Sequence, residues 1–438
     1  MRASKTFTLS VWALLVGLVT PLHAQNGPGL SAQPRNLIAP RQPFTTIDTD
    51  EDAQARRVFR SRLWHAFLDT LARESDAPPD TELLVAACRR SISYSRLTST
   101  ELLVDGCISD AIDRVDRAGS YLNPRQYASA QREQRRPAGS MGLELPSIKR
   151  QDEPLHVVGA IAGGPAAKAG IQGGDLIETI DQVSVRNLSH EATIDAIRGE
   201  PGSVANVTLM RDGKVVEARV GREVVRPKMV RTKRLGPDAL YVRILRFHSG
   251  LVAAQLPSEV LSELAAQPRP KLWILDLRRN TGGALSEVVA TASLFVNPAS
   301  PLFSVSSRSG PKIYSASSTD DNRAGELRAA LAGVPLVVLV DGGTGSGAEA
   351  LARVLREHLS AQVVGEPTAK IDNVLQSFDL LGEAAIQITI GYIASSSDHR
   401  RYSDGVPLDL TLASEPSAEF GSLPEDSLLA VTLEHFAK

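Results

Sequence analysis

Cysteine is almost missing: 438 residues hold two, Cys88 and Cys107. That scarcity excludes a disulfide-stapled scaffold and a four-thiolate zinc site. An excess of one charge is missing too. The 48 Lys+Arg stand against 50 Asp+Glu, a net charge of −2, which excludes bulk attraction to nucleic acid or an anionic membrane surface. No apolar run reaches the roughly 20 residues that span a bilayer. Glycine (33) and proline (26) are at ordinary levels, so a collagen-like or wholly disordered chain is excluded as well. Length is what the chain does have: at roughly 150 residues per domain it predicts about three domains, each able to bury a core.

The first 24 residues read as an address. Arg2 and Lys5 precede the apolar stretch Val11 to Val19, and Pro21-Leu22-His23-Ala24 follows. A basic start, a short apolar core and a small final residue describe a secretory signal peptide cut after Ala24, an uncleaved anchor being the alternative. The expectation is an exported protein, soluble or loosely membrane-associated, periplasmic if the source is Gram-negative, with no stable membrane span after cleavage. Export makes a Cys88–Cys107 bridge chemically allowed. Two buried thiols on neighbouring helices fit the spacing equally well.

Beyond the leader, residues 25–52 are polar and Pro-rich and read as a tether. Residues 53–137 read as a helical region, with Leu63, Phe67 and Leu71 on one face and Ile108, Ile112 and Val115 on another. Residues 138–224 shift to short strands and turns. Leu155–Val158 and Val204–Met210 are strands, Arg211-Asp212-Gly213-Lys214 is a hairpin turn, and Ser189–Arg198 is a short helix. From 225 to 413, strands and helices alternate. The runs Tyr241–Ile244, Leu272–Leu277, Pro335–Val340, Gln362–Val364 and Ile386–Ile393 are nearly all apolar, which predicts a sheet covered by helices. A helix at Glu425–Phe436 closes the tail, 414–438.

Several collinear segments carry a resemblance. Asp276-Leu277-Arg278-Arg279-Asn280-Thr281-Gly282-Gly283 resembles the D-L-R-x-N-x-G-G of the carboxyl-terminal processing (tail-specific) serine proteases, the S41-type peptidases. Val340 to Glu349 is similar to their nucleophile segment S-A-S-A-S-E, and Val363-Val364-Gly365-Glu366-Pro367-Thr368 to the V-V-G-E-x-T before their catalytic lysine. Ser397-Asp398-His399-Arg400 and Asp404 to Asp409 resemble their closing S-G-R and G-I-x-P-D. Upstream, Pro165 to Ile171 with Gly174-Asp175-Leu176-Ile177 is similar to a PDZ domain, and Gly142-Leu143-Glu144-Leu145 stands where such domains keep their carboxylate-binding loop. The likeness spans roughly residues 100 to 410. It implies a multidomain α+β chain: an N-terminal helical region, a PDZ domain and a crotonase-like α/β protease core.

The resemblance also implies site roles. Ser346, between a buried strand and a helix, is the nucleophile, and the N–H groups of Gly347 and of Gly282 or Gly283 form the oxyanion hole. An ordinary Ser N-cap is the plainer reading of the same residue. The base is a buried lysine, and here the chain departs from its family. The family's T-F-G-K-G is Thr368-Ala369-Lys370-Ile371-Asp372, so a gapless count from Ser346 puts Ile371 where the base belongs. In an extended segment Lys370 faces away from Ser346; in a loop it can still arrive. Asp372 is placed to pair with Lys370, and Gln376 is displaced from the family's S-V-Q in the opposite sense. Glu357 reads as part of a solvated helix face. His358 and His399 lack the elbow motif of a Ser-His-acid enzyme.

In the PDZ section the expected peptide site is the backbone around Met141, Gly142 and Leu143, with Ile194 and Ile197 lining the pocket for the last side chain. The sequence therefore predicts an exported serine-type endopeptidase that cleaves proteins near their C-termini, guided by its PDZ domain, with a Ser346/Lys370 dyad. The alternative is a catalytically impaired relative acting as a PDZ peptide-binding scaffold. A non-peptidase enzyme on the crotonase-like fold is the third reading. The expected partners are protein or peptide C-termini, with a homo-oligomer allowed. No cofactor, metal or nucleic acid is expected.

Overall fold

The computed structural model describes residues 50–436 apart from 78, 96–98, 136–138, 146–151, 162, 226, 267–268, 319–321 and 414–419. The signal segment 1–24 and most of the tether 25–52 lie outside the described residues. The first helix, Asp50–Phe59, begins within the last three positions read as tether.

The central sheet has six strands, in spatial order Val230–Leu235, Ala239–Ile244, Leu272–Asp276, Leu336–Val340, Gln362–Gly365 and Leu410–Thr411. The first pair is antiparallel and all later neighbours are parallel. Every position of Leu272–Asp276 and Leu336–Val340 is buried, because both faces of the sheet are covered. On one face, Leu240, Val242, Leu275 and Val338 share a core with Leu256 and Leu351 of the helices Val252–Ala266 and Gly347–Leu359. On the other, Leu428 and Leu429 of the helix Ser427–Phe436 cover Tyr241, Ile274 and Leu339. Parallel strands gather their following loops at one edge of the sheet, where open α/β sheets bind ligands.

A second sheet runs Ser120–Leu122, Ala384–Ala394, Pro301–Ser307, Gly310–Ser315, with Asn373–Leu380 along the other side of Ala384–Ala394. The N-terminal helices are built onto it. Phe67, Leu71, Ile108 and Ile112 share one core with Leu380, Ile386 and Ile388, and the Thr389 N–H donates to the Asp116 carboxylate at 2.6 Å. The region read from sequence as helical and separate is therefore half of a helix-on-sheet layer. Cys88 and Cys107 are bonded, 4.3 Å apart at their Cα atoms. The bond joins the helices Thr81–Tyr94 and Thr100–Val115.

Among the described residues between 139 and 225, a separate small sheet runs in the order Lys214–Gly221, Val204–Arg211, Leu176–Ile180, Leu155–His156. Asp212 (φ 49°) and Gly213 (φ 73°) supply the two positive φ values that a tight hairpin needs. The helix His190–Ile197 starts at Ser189, whose hydroxyl accepts the Ala192 N–H at 3.1 Å.

Candidate active site

Ser346 stands at the loop edge, between the buried strand Leu336–Val340 and the helix Gly347–Leu359. Its backbone has φ 53° and ψ −120°. A non-glycine residue held there costs on the order of 1–3 kcal/mol and persists only where its surroundings fix it. Two sets of bonds do the fixing. Thr344 donates its hydroxyl to the Leu277 carbonyl at 2.9 Å, and Gly345 its N–H to Asn280 O at 2.9 Å. The Ser346 N–H donates to Glu349 Oε2 at 2.8 Å.

The glycine loop lies directly against this turn. A Cβ on Gly282 would stand 2.8 Å from Gly347 N and 2.9 Å from the Ser346 Cβ, and one on Gly283 would meet Phe247 O at 2.1 Å. Both glycines have positive φ, 91° and 146°, so the approach of backbone to backbone requires glycine twice. Asn280 holds the loop: its side-chain amide donates to Ile244 O at 3.0 Å and its Oδ1 accepts the Gly282 N–H at 2.9 Å. Ser346, Gly347, Gly282 and Gly283 are thus brought together.

Beneath them Arg278 is fully buried and donates to both Asp276 and Asp426, each at 2.6 Å. Burial opposes its charge, yet the bonds to Asp426 and Asp276 raise its pKa above the ordinary arginine value. Tyr241 donates its hydroxyl to Asp276 at 2.6 Å.

Lys370 is placed differently from Ser346's other neighbours. Its Cγ would stand 3.2 Å from a Cβ on Gly405, and the residue is exposed. Ile371, itself 43% exposed, lies against the Ser346 turn instead, its Cδ1 3.2 Å from where a Cβ on Gly345 would be. The backbone explains this register. Lys370 has φ 60°, a left-handed conformation that favours glycine. Three consecutive N–H groups pin the loop: Ala369 to Thr344 O, Lys370 to Glu349 Oε1 and Ile371 to Glu349 Oε2, each at 2.9 Å. Thr368 adds its hydroxyl to Glu349 Oε1 at 2.5 Å. The buried carboxylate of Glu349 thus accepts from Ser346, Thr368, Lys370 and Ile371 and fixes which residue faces which side. The sequence motif contained Glu349 without revealing that role, because three of its four partners lie about twenty residues away.

Other expectations resolve as follows. Asp372, read as a partner for Lys370, pairs with Arg401 instead, at 2.9 and 3.0 Å. His358 and His399 find partners at Pro301 O and Ser304 Oγ, each 3.1 Å away. Gln376 is exposed, on the rim of a cleft shared with Arg73 and Arg308. Among the described residues no cluster of three or more His, Cys, Asp or Glu has the arrangement of a metal site, and no helix is long and apolar enough to cross a membrane.

In the small domain the strand Leu143–Glu144 pairs with Gly159–Ala160. Gly142 (φ 72°) forms the turn before it, with its carbonyl accepting the Ile161 N–H and that of Met141 the Ala166 N–H. Met141 and Ile197 are core residues of this domain, whereas Leu143 and Ile194 lie at its margin. The outgoing chain returns to the same turn. Ser140 exchanges backbone bonds with Glu223, and Val225 packs against the Gly142 turn.

Comparison with known proteins agrees with this architecture. Residues 238–412 match the profile of peptidase family S41, and residues 130–210 that of the PDZ domain. A carboxy-terminal-processing protease of Bartonella bacilliformis is 24% identical over 323 residues, 73% of this chain and 71% of its own. A carboxyl-terminal-processing protease of Picosynechococcus is 27% identical over 300 residues, 67% of this chain and 69% of its own. Among solved structures, a photosystem II D1 C-terminal processing protease aligns over 89% of this chain and 98% of its own, at 22% identity and a TM-score of 0.48. The chain thus carries a peptidase family S41 domain behind a PDZ domain, and the curated relatives it resembles are named carboxyl-terminal processing proteases.

Proposed function

We propose that this chain is a binding member of its family: an exported protein that grips the C-terminal segments of proteins or peptides through its PDZ domain and does not use Lys370 as a catalytic base. The observation that carries this reading is the pair of neighbours at the base position. Ile371 lies against the Ser346 turn, while Lys370 leans on Gly405, both backbones being held by Glu349. A serine hydroxyl has no useful nucleophilicity without a group to take its proton, and an isoleucine takes none. The PDZ turn at Gly142 and the half-buried Leu143 and Ile194 at the domain's margin suit an added peptide strand with a terminal carboxylate. Export accords with the leader-like first 24 residues and with the bonded pair Cys88–Cys107.

The test uses the mature protein and a fluorogenic peptide with an apolar C-terminus, beside Ser346→Ala, Lys370→Ala and Ile371→Lys. Expected are equal, negligible cleavage in the parent and both alanine variants, unchanged peptide binding in all, and serine-dependent cleavage gained in Ile371→Lys. Cleavage by the parent that vanishes in both Ser346→Ala and Lys370→Ala overturns the reading.

That outcome would establish the second reading, a PDZ-guided serine endopeptidase with a Ser346/Lys370 dyad. One observation favours it: Ser346 keeps its strained backbone beside a complete glycine frame, and strain of that kind collects at working sites.

A further inference from the structure

The corner between the first two helices carries an unbalanced charge. The helix Asp50–Phe59 is followed closely by the helix Arg62–Glu74, and the chain across the corner reads Arg56-Arg57-Val58-Phe59-Arg60-Ser61-Arg62, with no acidic residue. The Arg60 N–H donates to Arg56 O at 3.2 Å and that of Ser61 to Val58 O at 2.9 Å, so the turn continues the helix without a spacer. Ala55 and Val58 are buried, whereas Arg56, Arg57, Arg60 and Arg62 are all exposed. Residues three and four apart on a helical turn are neighbours, which sets Arg56 and Arg57 beside Arg60 on the side away from the core.

Helix dipoles account for only part of this arrangement. Arg56 and Arg57 stand in the last turn of their helix, where a cation is favourable. Arg62 opens the second helix, whose first turn has no acidic residue; there the dipole and the neighbouring guanidinium groups both oppose a positive charge. The side chains of Arg57, Arg60 and Arg62 make no ion pair or hydrogen bond among the described residues. Along the second helix the exposed His65 comes next, its Nδ1 2.8 Å from Ser61 O, and the first acid is Asp69, about two turns on. A chain with a net charge of −2 thus concentrates like charge at one exposed corner and supplies it with no partner.

We propose that this corner docks on an anionic phospholipid membrane, with Arg57, Arg60 and Arg62 on lipid phosphates. The planar guanidinium fork matches phosphate oxygens, and exposed basic clusters close to a membrane-directed segment are drawn to anionic headgroups. The position of the corner selects this occupant: Arg56 lies 32 residues beyond Ala24, the end of the leader-like segment, so an exported chain meets a membrane with this surface close behind its N-terminus. The inference rests on the export reading and is independent of whether Ser346 works.

Co-sedimentation of the mature, disulfide-bonded protein with lipid vesicles tests it. Vesicles of about 30% phosphatidylglycerol in phosphatidylcholine are compared with pure phosphatidylcholine, at low salt and at about 0.5 M salt. Expected is binding to the anionic vesicles alone, lost at the higher salt because exposed charges are then screened. Arg60→Gln/Arg62→Gln should weaken it about 10-fold or more, whereas Lys214→Gln/Arg219→Gln, which removes two exposed cations from the strand Lys214–Gly221, leaves it within about 2-fold. All four side chains are exposed, so both double variants retain the fold. A short DNA duplex at the same low salt is the competing polyanion. No binding to the anionic vesicles, equal binding to the neutral ones, equal loss in the two double variants, or tighter binding to the duplex than to the vesicles overturns the proposal. Because purified protein is used, such a failure leaves the export reading standing; export fails separately, if cell fractionation finds the uncut chain in the cytoplasm.

Discussion

Two adjacent residues, Lys370 and Ile371, are directed to opposite sides of one carboxylate. Glu349 accepts from Ser346, Thr368, Lys370 and Ile371, so it sets both the Ser346 turn and the register of the loop. Glu349→Gln keeps the shape but turns an all-acceptor group into one that also donates, facing N–H groups. We expect a loss of about 2–3 kcal/mol in denaturant unfolding of the mature protein; a variant as stable as the parent would remove Glu349 from this role. At Gly282, alanine brings a Cβ to 2.8 Å from Gly347 N, backbone that cannot swing aside. Gly282→Ala in the Ile371→Lys background is expected to abolish whatever cleavage Ile371→Lys gains, while Gly325→Ala, at an exposed position of the helix Asn322–Leu331 with nothing within 4 Å of its Cβ, leaves it intact. The sequence offers Lys370 and Ile371 as neighbouring candidates for that side of the loop. Which face each takes was not legible there, because it depends on the left-handed φ of Lys370 and on bonds to a carboxylate about twenty residues away.

Among the elements, local pattern carried far. Continuous apolar runs marked Leu272–Asp276 and Leu336–Val340 because both faces of that sheet are covered. The spacing of Phe67, Leu71, Ile108 and Ile112 marked helices because one face of each is buried. What covers those faces was hidden, since Leu380, Ile386 and Ile388 enter the chain some 270 residues later. The Cys88–Cys107 bond works at this scale, tying two helices whose apolar faces meet that distant sheet. Closing a loop of about 19 residues by a disulfide contributes about 3 kcal/mol. Paired Cys88→Ala and Cys107→Ala substitution should lower the unfolding midpoint accordingly. It should also speed proteolysis first within residues 81–115, read by mass spectrometry of limited digests. Cleavage beginning instead in the PDZ domain would show that the bond does not stabilise this layer.

Across the whole molecule, the tail is latched to the core through one buried cation. Arg278 joins Asp276, in the central strand, to Asp426, at the head of the last helix. Asp426 also accepts the N–H groups of Gly421 and Leu429. Burial alone would raise its carboxyl, but the hydrogen bond and charge of Arg278 and those N–H groups hold its pKa below the ordinary aspartate value. A folded-state pKa lower than the unfolded one means the unfolded chain takes up the proton first. The latch therefore contributes fully above the unfolded aspartate pKa of about 3.9, and its contribution is lost as pH falls through the lower folded value. Asp426→Asn leaves Arg278 with one carboxylate instead of two and is expected to cost about 3 kcal/mol at neutral pH. The same variant should flatten the acid limb of the stability curve, because the group that titrated there is gone. Urea unfolding of parent and variant from pH 7 down to pH 3 measures both effects. The two curves should converge as the pH falls, and a gap that stays constant to the acid end would assign the loss to packing of the tail helix instead of to the ion pair.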